Sequence, residues 1–235
     1  MILQWLCQKY HVARITILLI FKPVTLFHQL NKLDWYQAEL KQWLDEIKVN
    51  PNAVVLEVAC ATGLLSEHLL NSGYNVTAID LSKAMLEVAM SNNSQAHYQV
   101  ADVTELPFED NCFDVVIAAS LINIIKEKDK AISEMIRVCK AGGVISILVP
   151  NQKFGKEHFT ALSMKLGVSG FSKASLDRWH NLAPKMDKQY AERLLLGNGL
   201  RGVSSKIYLQ GMLFSMTGIK MTDEQKSDMD YASGV

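Results

Sequence analysis

From Ala53 onward, short apolar runs alternate with longer stretches in which apolar side chains return every three or four positions. The short runs, rich in β-branched residues and bounded by glycine, asparagine or aspartate, have the length and composition of strands. They predict strands at Ala53–Val58, Asn75–Asp80, His97–Val100, Phe113–Ala118 and Gly143–Leu148. The periodic stretches predict helices at Leu33–Ile47, Leu64–Asn71, Lys83–Ser91 and Asp129–Val138. Gly142-Gly143 is expected to stop the last of these, since glycine reaches the left-handed cap geometry cheaply. Strand and helix in succession imply parallel strands with crossover helices on both faces.

The most informative stretch is Val55-Leu56-Glu57-Val58-Ala59-Cys60-Ala61-Thr62-Gly63. It reads as a buried strand ending near an acid, followed by small residues at 59, 61 and 63 that let the backbone turn sharply and approach a ligand. Asp80, closing the next apolar run, is placed to accept the two hydroxyls of a ribose. A dinucleotide fingerprint G-x-G-x-x-G laid on Ala59 and Ala61 needs its third glycine at Leu64, and leucine there argues against a nicotinamide cofactor. What remains is E-x-A-x-A-x-G.

That pattern resembles the first motif, D/E-x-G-x-G-x-G, of the class I S-adenosylmethionine (SAM) methyltransferases, and later stretches follow in order. Tyr98-Gln99-Val100-Ala101-Asp102 resembles the end of that family's third strand. Leu106-Pro107-Phe108 and Phe113-Asp114-Val115-Val116 resemble its loop and fourth strand. Lys128 to Gly143 resembles the helix and K-P-G-G turn before the fifth strand. Gly199-Leu200 and Gly211-Met212-Leu213 to Thr217-Gly218-Ile219-Lys220 resemble the closing hairpin, with strands expected near Val203–Leu209 and Met212–Thr217. The nearest flavour is the methyltransferase type 11 group, which includes the ubiquinone and menaquinone biosynthesis C-methyltransferases. Leu121-Ile122-Asn123-Ile124 resembles that group's L-R-N-V. The fold so implied is α/β, a Rossmann-like seven-stranded, mostly parallel sheet with helices on both faces and an antiparallel last strand.

Roles for individual residues follow from the resemblance. Glu57 would meet the amino group of the methionine moiety, although on its own it reads equally as a capping or surface acid. The backbone at Ala59, Cys60, Ala61 and Gly63 would make close contact, and Asp80 would hold the ribose. Leu81 and Met85 would pack the adenine face, Met85 having helical spacing that also suits ordinary core. Asp102 and the Val103 amide would meet the adenine edge, and Ala119 and Ser120 would line the space around the methyl group. Two positions depart from the family pattern. Ala61 stands for the second glycine, where a Cβ at positive φ costs roughly 1–2 kcal/mol, leaving either a weaker SAM site or an adjusted turn. Ile122 stands for the arginine that quinone enzymes present to substrate, which puts a quinol acceptor in doubt.

Composition narrows the class further. The 235 residues, 49% hydrophobic and 20% charged, suffice for one domain with a substantial core. Formal net charge is zero and there is no Lys/Arg run, so no nucleic-acid partner is expected. The four cysteines, Cys7, Cys60, Cys112 and Cys139, are scattered and no Cys/His pair has zinc-site spacing; no metal and a cytoplasmic setting are expected. Cys60 reads as a small apolar filler rather than a reactive thiol. An activated sulfonium methyl needs alignment and dryness more than a dedicated catalytic group. Should the acceptor have to lose a proton, His158, His180 and Tyr36 are the candidate bases, Asp102 being claimed by adenine.

The methyltransferase-like domain is expected over residues 31–220; three segments do not belong to its cofactor frame, one inserted within it and two flanking it. Residues 151–200, rich in Phe154, Phe159, Leu162, Met164, Leu166, Phe171, Trp179 and Met186, read either as a cap over a small-molecule acceptor, lipid or quinone-like, or as a helical layer completing the core. Residues 1–30 carry an apolar run, Ile15 to Phe21, too short to span a bilayer. They read as a lid or packing helix, or as peripheral membrane contact. Residues 221–235 form a polar tail expected to fray. The leading function is methyl transfer from SAM to a small acceptor; the alternative is a non-catalytic, methyltransferase-like binding or regulatory protein.

Overall fold

The computed structural model describes residues 2–47, 50–222 and Gln225, and side chains from Leu6 onward; the tail expected to fray lies almost wholly outside the described residues. Two helices, α1 (Ile2–Phe21) and α2 (Pro23–Leu30), precede α3 (Asp34–Asp45). Then follow β1 (Val54–Val58), α4 (Leu64–Asn71), β2 (Asn75–Asp80), α5 (Lys83–Asn92), β3 (His97–Val100), β4 (Phe113–Ala119), α6 (Lys128–Val138) and β5 (Cys139–Pro150). Three further helices, α7 (Lys156–Lys165), α8 (Gly170–Leu182) and α9 (Lys188–Gly197), lead to β6 (Leu200–Tyr208) and β7 (Leu213–Lys220).

The seven strands form one sheet in the order β3-β2-β1-β4-β5-β7-β6. β7 runs antiparallel to both β5 and β6, as expected of the last strand, and the pairs among β1 to β5 are parallel. Both faces are covered, which is why the central strands read as continuous apolar runs rather than alternating ones. Leu56, Val116 and Ile147 point into one layer with Ile132 and Met135 of α6 and Leu195 of α9. Their neighbours Val55, Val115, Ile117 and Leu148 point into the other, with Trp43 of α3 and Leu65 and Leu69 of α4. The predicted ligand contacts after β1 and β4 therefore sit on buried strands, whereas β3, which leads to Asp102, is a part-exposed edge strand.

The expected glycine stop after α6 is corrected. The helix ends at Val138 and the chain goes directly into β5 at Cys139, whose extended backbone (φ −75°, ψ 142°) already pairs with Phe113. Gly142, at φ +76°, and Gly143 lie within β5 where its register with β4 shifts. A Cβ on Gly143 would come within 2.6 Å of the Cys139 Sγ and 2.8 Å of the Asp114 carbonyl oxygen, so glycine is needed for close backbone approach. The closing strands are also displaced from expectation: β6 begins at Leu200 and β7 continues to Lys220, with a single 3-10 turn at Leu209–Gly211 between them.

Residues 151–200 complete the core in part and wall a cavity in part. Met186, Ala191, Leu194 and Leu195 join the core layer beside α6, whereas Trp179 on α8 faces α3 and the N-terminal helices. α1 and α2 cluster with α8 through Ile15, Leu26 and Ala174, with Arg14 placed 5.3 Å above the Phe171 ring. Trp35 joins the two regions by donating its indole N–H to Ser172 Oγ at 2.8 Å. Among the described residues no helix is long and apolar enough to cross a membrane.

Candidate functional site

A cavity of ≈ 500 Å³ opens at the carboxyl ends of β1, β2 and β4, the place where open parallel sheets bind ligands. Glu57, Ala59, Cys60, Ala61, Asp80, Leu81, Met85, Asp102, Val103, Ala119 and Ser120 all line it. Of the proposed cofactor residues only Gly63 does not. It is the left-handed residue before α4 (φ +81°), and a Cβ there would lie 3.0 Å from that of Ala89 and 3.1 Å from the Tyr98 hydroxyl.

The turn itself is built from strained alanines. Ala59 and Ala61 hold φ values of +59° and +47°, so the missing glycines have not prevented the left-handed turn. The Ala61 N–H donates to Asp80 Oδ2 at 2.9 Å and the Ser82 N–H donates to Oδ1 at 2.8 Å. These two bonds pin the Asp80 carboxylate while leaving lone pairs on each oxygen for an incoming hydroxyl. Ser120, across the cavity, is likewise at positive φ (+54°), anchored by its N–H to the Leu148 carbonyl at 2.7 Å. Three non-glycine residues in this conformation around one cavity mark a site where backbone shape is over-determined.

Glu57 is buried (3% exposed) and accepts a hydrogen bond from the Ser66 hydroxyl of α4. Burial, with the Asp80 charge adding to it, raises its pKa to about 8 against the opposing Ser66 bond. Asp102 is instead exposed, and the Thr104 backbone and side chain donating to its Oδ1 lower its pKa. Leu81 is 69% exposed, an apolar side chain waiting on the cavity wall. Met85 is buried in α5 and lines the cavity. Burial raises the Cys60 thiol well above its ordinary range, in keeping with a filler. Among the described residues no group of three or more His, Cys, Asp or Glu could hold a metal ion.

A second, apolar cavity of ≈ 290 Å³ joins the first, walled by α1, α2, α3, α8 and the loop after β4. Phe27, Tyr36, Ser120 and Ile124 line both. The C-cap of α2, Asn31, lines the first cavity and donates its Nδ2 to Thr62 Oγ1 in the turn at 2.8 Å, fastening the N-terminal helices to it.

Of the three candidate bases, the structure brings only Tyr36 to the site. Burial and the Glu57 charge raise its pKa to about 12, so it is a hydrogen-bond donor rather than a base. His158 lines neither cavity; its Nδ1 accepts from the Gly155 N–H at the start of α7, a capping role. His180 also lines neither, being stacked on Phe159 at 5.2 Å and edge-on to Phe154. Ile122, which stands where the family pattern has arginine, is fully buried in the core layer beside α6 and lines neither cavity. Sequence reasoning missed Ser66, Phe27, Trp35, Asn123 and Arg178 as site residues. Only Asn123 had a local signal, one place beyond Ile122 in the L-R-N-V-like stretch.

Residues 56–147 match the model of a family described as a methyltransferase domain. A demethylmenaquinone methyltransferase from Renibacterium salmoninarum is 36% identical over 114 residues, covering 47% of this chain and 48% of that protein. A malonyl-[acyl-carrier protein] O-methyltransferase from Buchnera aphidicola is 38% identical over 102 residues, covering 43% of this chain and 41% of that protein. The chain spans about half the length of the curated relatives it matches. Among solved structures, a SAM-dependent methyltransferase from Methanosarcina mazei superposes with a TM-score of 0.59 at 17% identity, covering 77% of this chain and 98% of that one. The match thus supports a methyltransferase domain over residues 56–147, and the chain shares its fold with the solved SAM-dependent methyltransferase.

Proposed function

We infer that this chain, carrying a methyltransferase domain of the SAM-dependent kind, transfers a methyl group to a small, lipophilic acceptor. The observation that carries the reading is the row of three carboxylates along one cavity, Glu57, Asp80 and Asp102, each with its own hydrogen-bonded support. Their chemistry fits an ammonium group, a ribose and an exocyclic adenine amine in that order. When bound, SAM supplies a methyl on a positively charged sulfur, which leaves as a neutral thioether.

The residues themselves would bind, orient and keep water out. Asp80 would accept the ribose hydroxyls with the lone pairs its two amide bonds leave open, charge-assisted bonds contributing roughly 1.5–3 kcal/mol each. Leu81 and Met85 would cover the adenine, and the free oxygen of Asp102 would accept from its amine. Phe27, Tyr36, Ser120 and Ile124, shared by the two cavities, mark where acceptor and methyl donor would meet. The apolar walls there favour a dry reaction path. Tyr36 would donate a hydrogen bond at this junction rather than remove a proton.

Residues 1–30 contain no acidic residue, and Ile17, Ile20 and Phe21 are exposed on α1. Together they support peripheral contact with an anionic lipid surface by a cytoplasmic protein; sedimentation with anionic but not neutral vesicles tests it. The function is tested by calorimetric titration with SAM and S-adenosylhomocysteine, with Asp80→Ala as control. Micromolar binding lost in the control supports the reading, and labelled SAM then finds the acceptor in extracts. A folded protein that binds neither compound moves the non-catalytic, methyltransferase-like alternative to first place.

A further inference from the structure

The second cavity is apolar on nearly every side, with Leu19, Leu26, Trp35, Trp179 and Leu182 among its walls, yet one charged residue lines it, Arg178 of α8. Nothing in the fold demands a cation there. Its visible ion pair is with its own neighbour: Nη2 to Asp177 Oδ2 at 3.4 Å, with the two side chains 28% and 29% exposed. At that distance and exposure the pair adds little and is easily exchanged. Asp177 is not part of the cavity lining and also accepts from Asn181. The Arg178 Nε is shielded from solvent and has no hydrogen-bond partner.

A second observation comes from another element of the same cavity. Asn123 is 7% exposed and its Nδ2 donates to the Pro184 carbonyl at 2.9 Å, but its buried Oδ1 has no partner. Buried polar atoms are rarely left so: the Arg178 Nε–H lacks an acceptor and the Asn123 oxygen lacks a donor, which a ligand whose polar head carries an anionic acceptor for the guanidinium and a separate N–H or O–H for Asn123 would supply. Arg178 and Asn123 line the apolar cavity alone, whereas Ser120 and Tyr36 line both.

We propose that the acceptor is an amphipathic organic anion, its apolar body held among α1, α2 and α8 and its carboxylate paired with Arg178, remote from the end that meets the methyl donor. The inference rests on the methyltransferase reading of the adjoining cavity. The planar guanidinium suits bidentate pairing with a carboxylate, which lysine does not reproduce.

Trp35 and Trp179 make the cavity self-reporting, so occupancy can be followed by intrinsic fluorescence of the full chain saturated with S-adenosylhomocysteine. The probes are decanoate, decan-1-ol and decylamine, which share a tail and differ in head charge. Decanoate is expected to bind about 10- to 100-fold more tightly than decan-1-ol, as for a charge-assisted bond in an apolar site, and decylamine most weakly. Arg178→Gln should remove the preference for decanoate and leave affinities for decan-1-ol and S-adenosylhomocysteine unchanged; Arg178→Lys should restore part of it. Equal binding of decanoate and decan-1-ol to the unmodified protein overturns the proposal, as does a preference that survives Arg178→Gln or no decanoate binding at all. The wild-type comparison decides even if a variant fails to fold. Failure to bind S-adenosylhomocysteine would instead strike the methyltransferase reading, so the two failures are separable.

Discussion

Binding of SAM should strengthen as pH rises from about 6 to about 8, because Glu57 has to lose its proton to meet the cofactor's ammonium group. In the free protein burial holds this carboxyl's pKa near 8. If only the ionised form binds, the apparent Kd is multiplied by one plus the ratio of protonated to ionised Glu57. That factor is about 2 at pH 8, about 11 at pH 7 and about 100 at pH 6, a span of roughly 2.3 kcal/mol. The ligand's own α-amino group, with a pKa of about 7.7–8.0, loses its charge over the same upper range, so that binding is strongest just below pH 8 and weakens again above it. The assay is calorimetric titration across this range in two buffers of different ionisation enthalpy. Near pH 7 the difference in apparent enthalpy should report a net release of about 0.8 proton, the Glu57 proton less the small uptake by the ligand's amine. Glu57→Gln should bind more weakly at pH 8 and lose the acidic limb, keeping the alkaline one. A second readout follows from linkage. The folded pKa lies above the unfolded one of 4.5. The free protein therefore binds more protons than the unfolded chain between these values, and its stability falls as pH rises from 4.5 to about 8. Glu57→Gln should flatten that fall. A wild-type Kd constant within twofold from pH 6 to 8, or a Glu57→Gln protein that retains the acidic limb, refutes the reasoning.

Further expectations concern the turn, the junction and the cap. Ala61→Gly, at φ +47°, should stabilise the protein by about 0.5–1 kcal/mol, relief of left-handed strain exceeding the entropy cost of glycine. Gly63→Ala, crowded by Ala89 and Tyr98, should destabilise it by more than about 1 kcal/mol; urea midpoints measure both. Tyr36→Phe should lower kcat less than about tenfold and leave the pH–rate profile in place, since a proton held to about pH 12 is not exchanged in turnover. A displaced limb would restore the phenolate as base. His180, its pKa lowered by burial and by Lys185 against the opposing Asp177, contributes stability above the ordinary imidazole range that is lost as pH falls through it. His180→Phe should reduce the difference in urea midpoint between neutral and mildly acidic buffer.

The cofactor frame was legible because it is encoded locally. A strand, a small-residue turn and an acid closing the next strand are contiguous words, and β1, β2 and β4 carry them at the expected places. The acceptor side is encoded differently. Arg178 and Asn123 lie far apart in the sequence, and only the packing of α8 against α1 and α3 gives them a common cavity. No spacing rule links them. The glycine stop failed for a related reason: a Gly-Gly pair serves a cap or a crowded strand equally well, and only the approach of Asp114 and Cys139 decides between them.

The left-handed alanines and serine bear on the protein's lifetime. Ala59, Ala61 and Ser120 together store at least about 3 kcal/mol in the cradle, a sizeable share of the 5–15 kcal/mol that holds a domain folded. A ligand present at a hundred times its Kd returns about 2.7 kcal/mol. Cellular abundance of such a protein would follow the supply of the ligand that fills the cradle, because the unliganded chain spends more of its time unfolded and open to proteases.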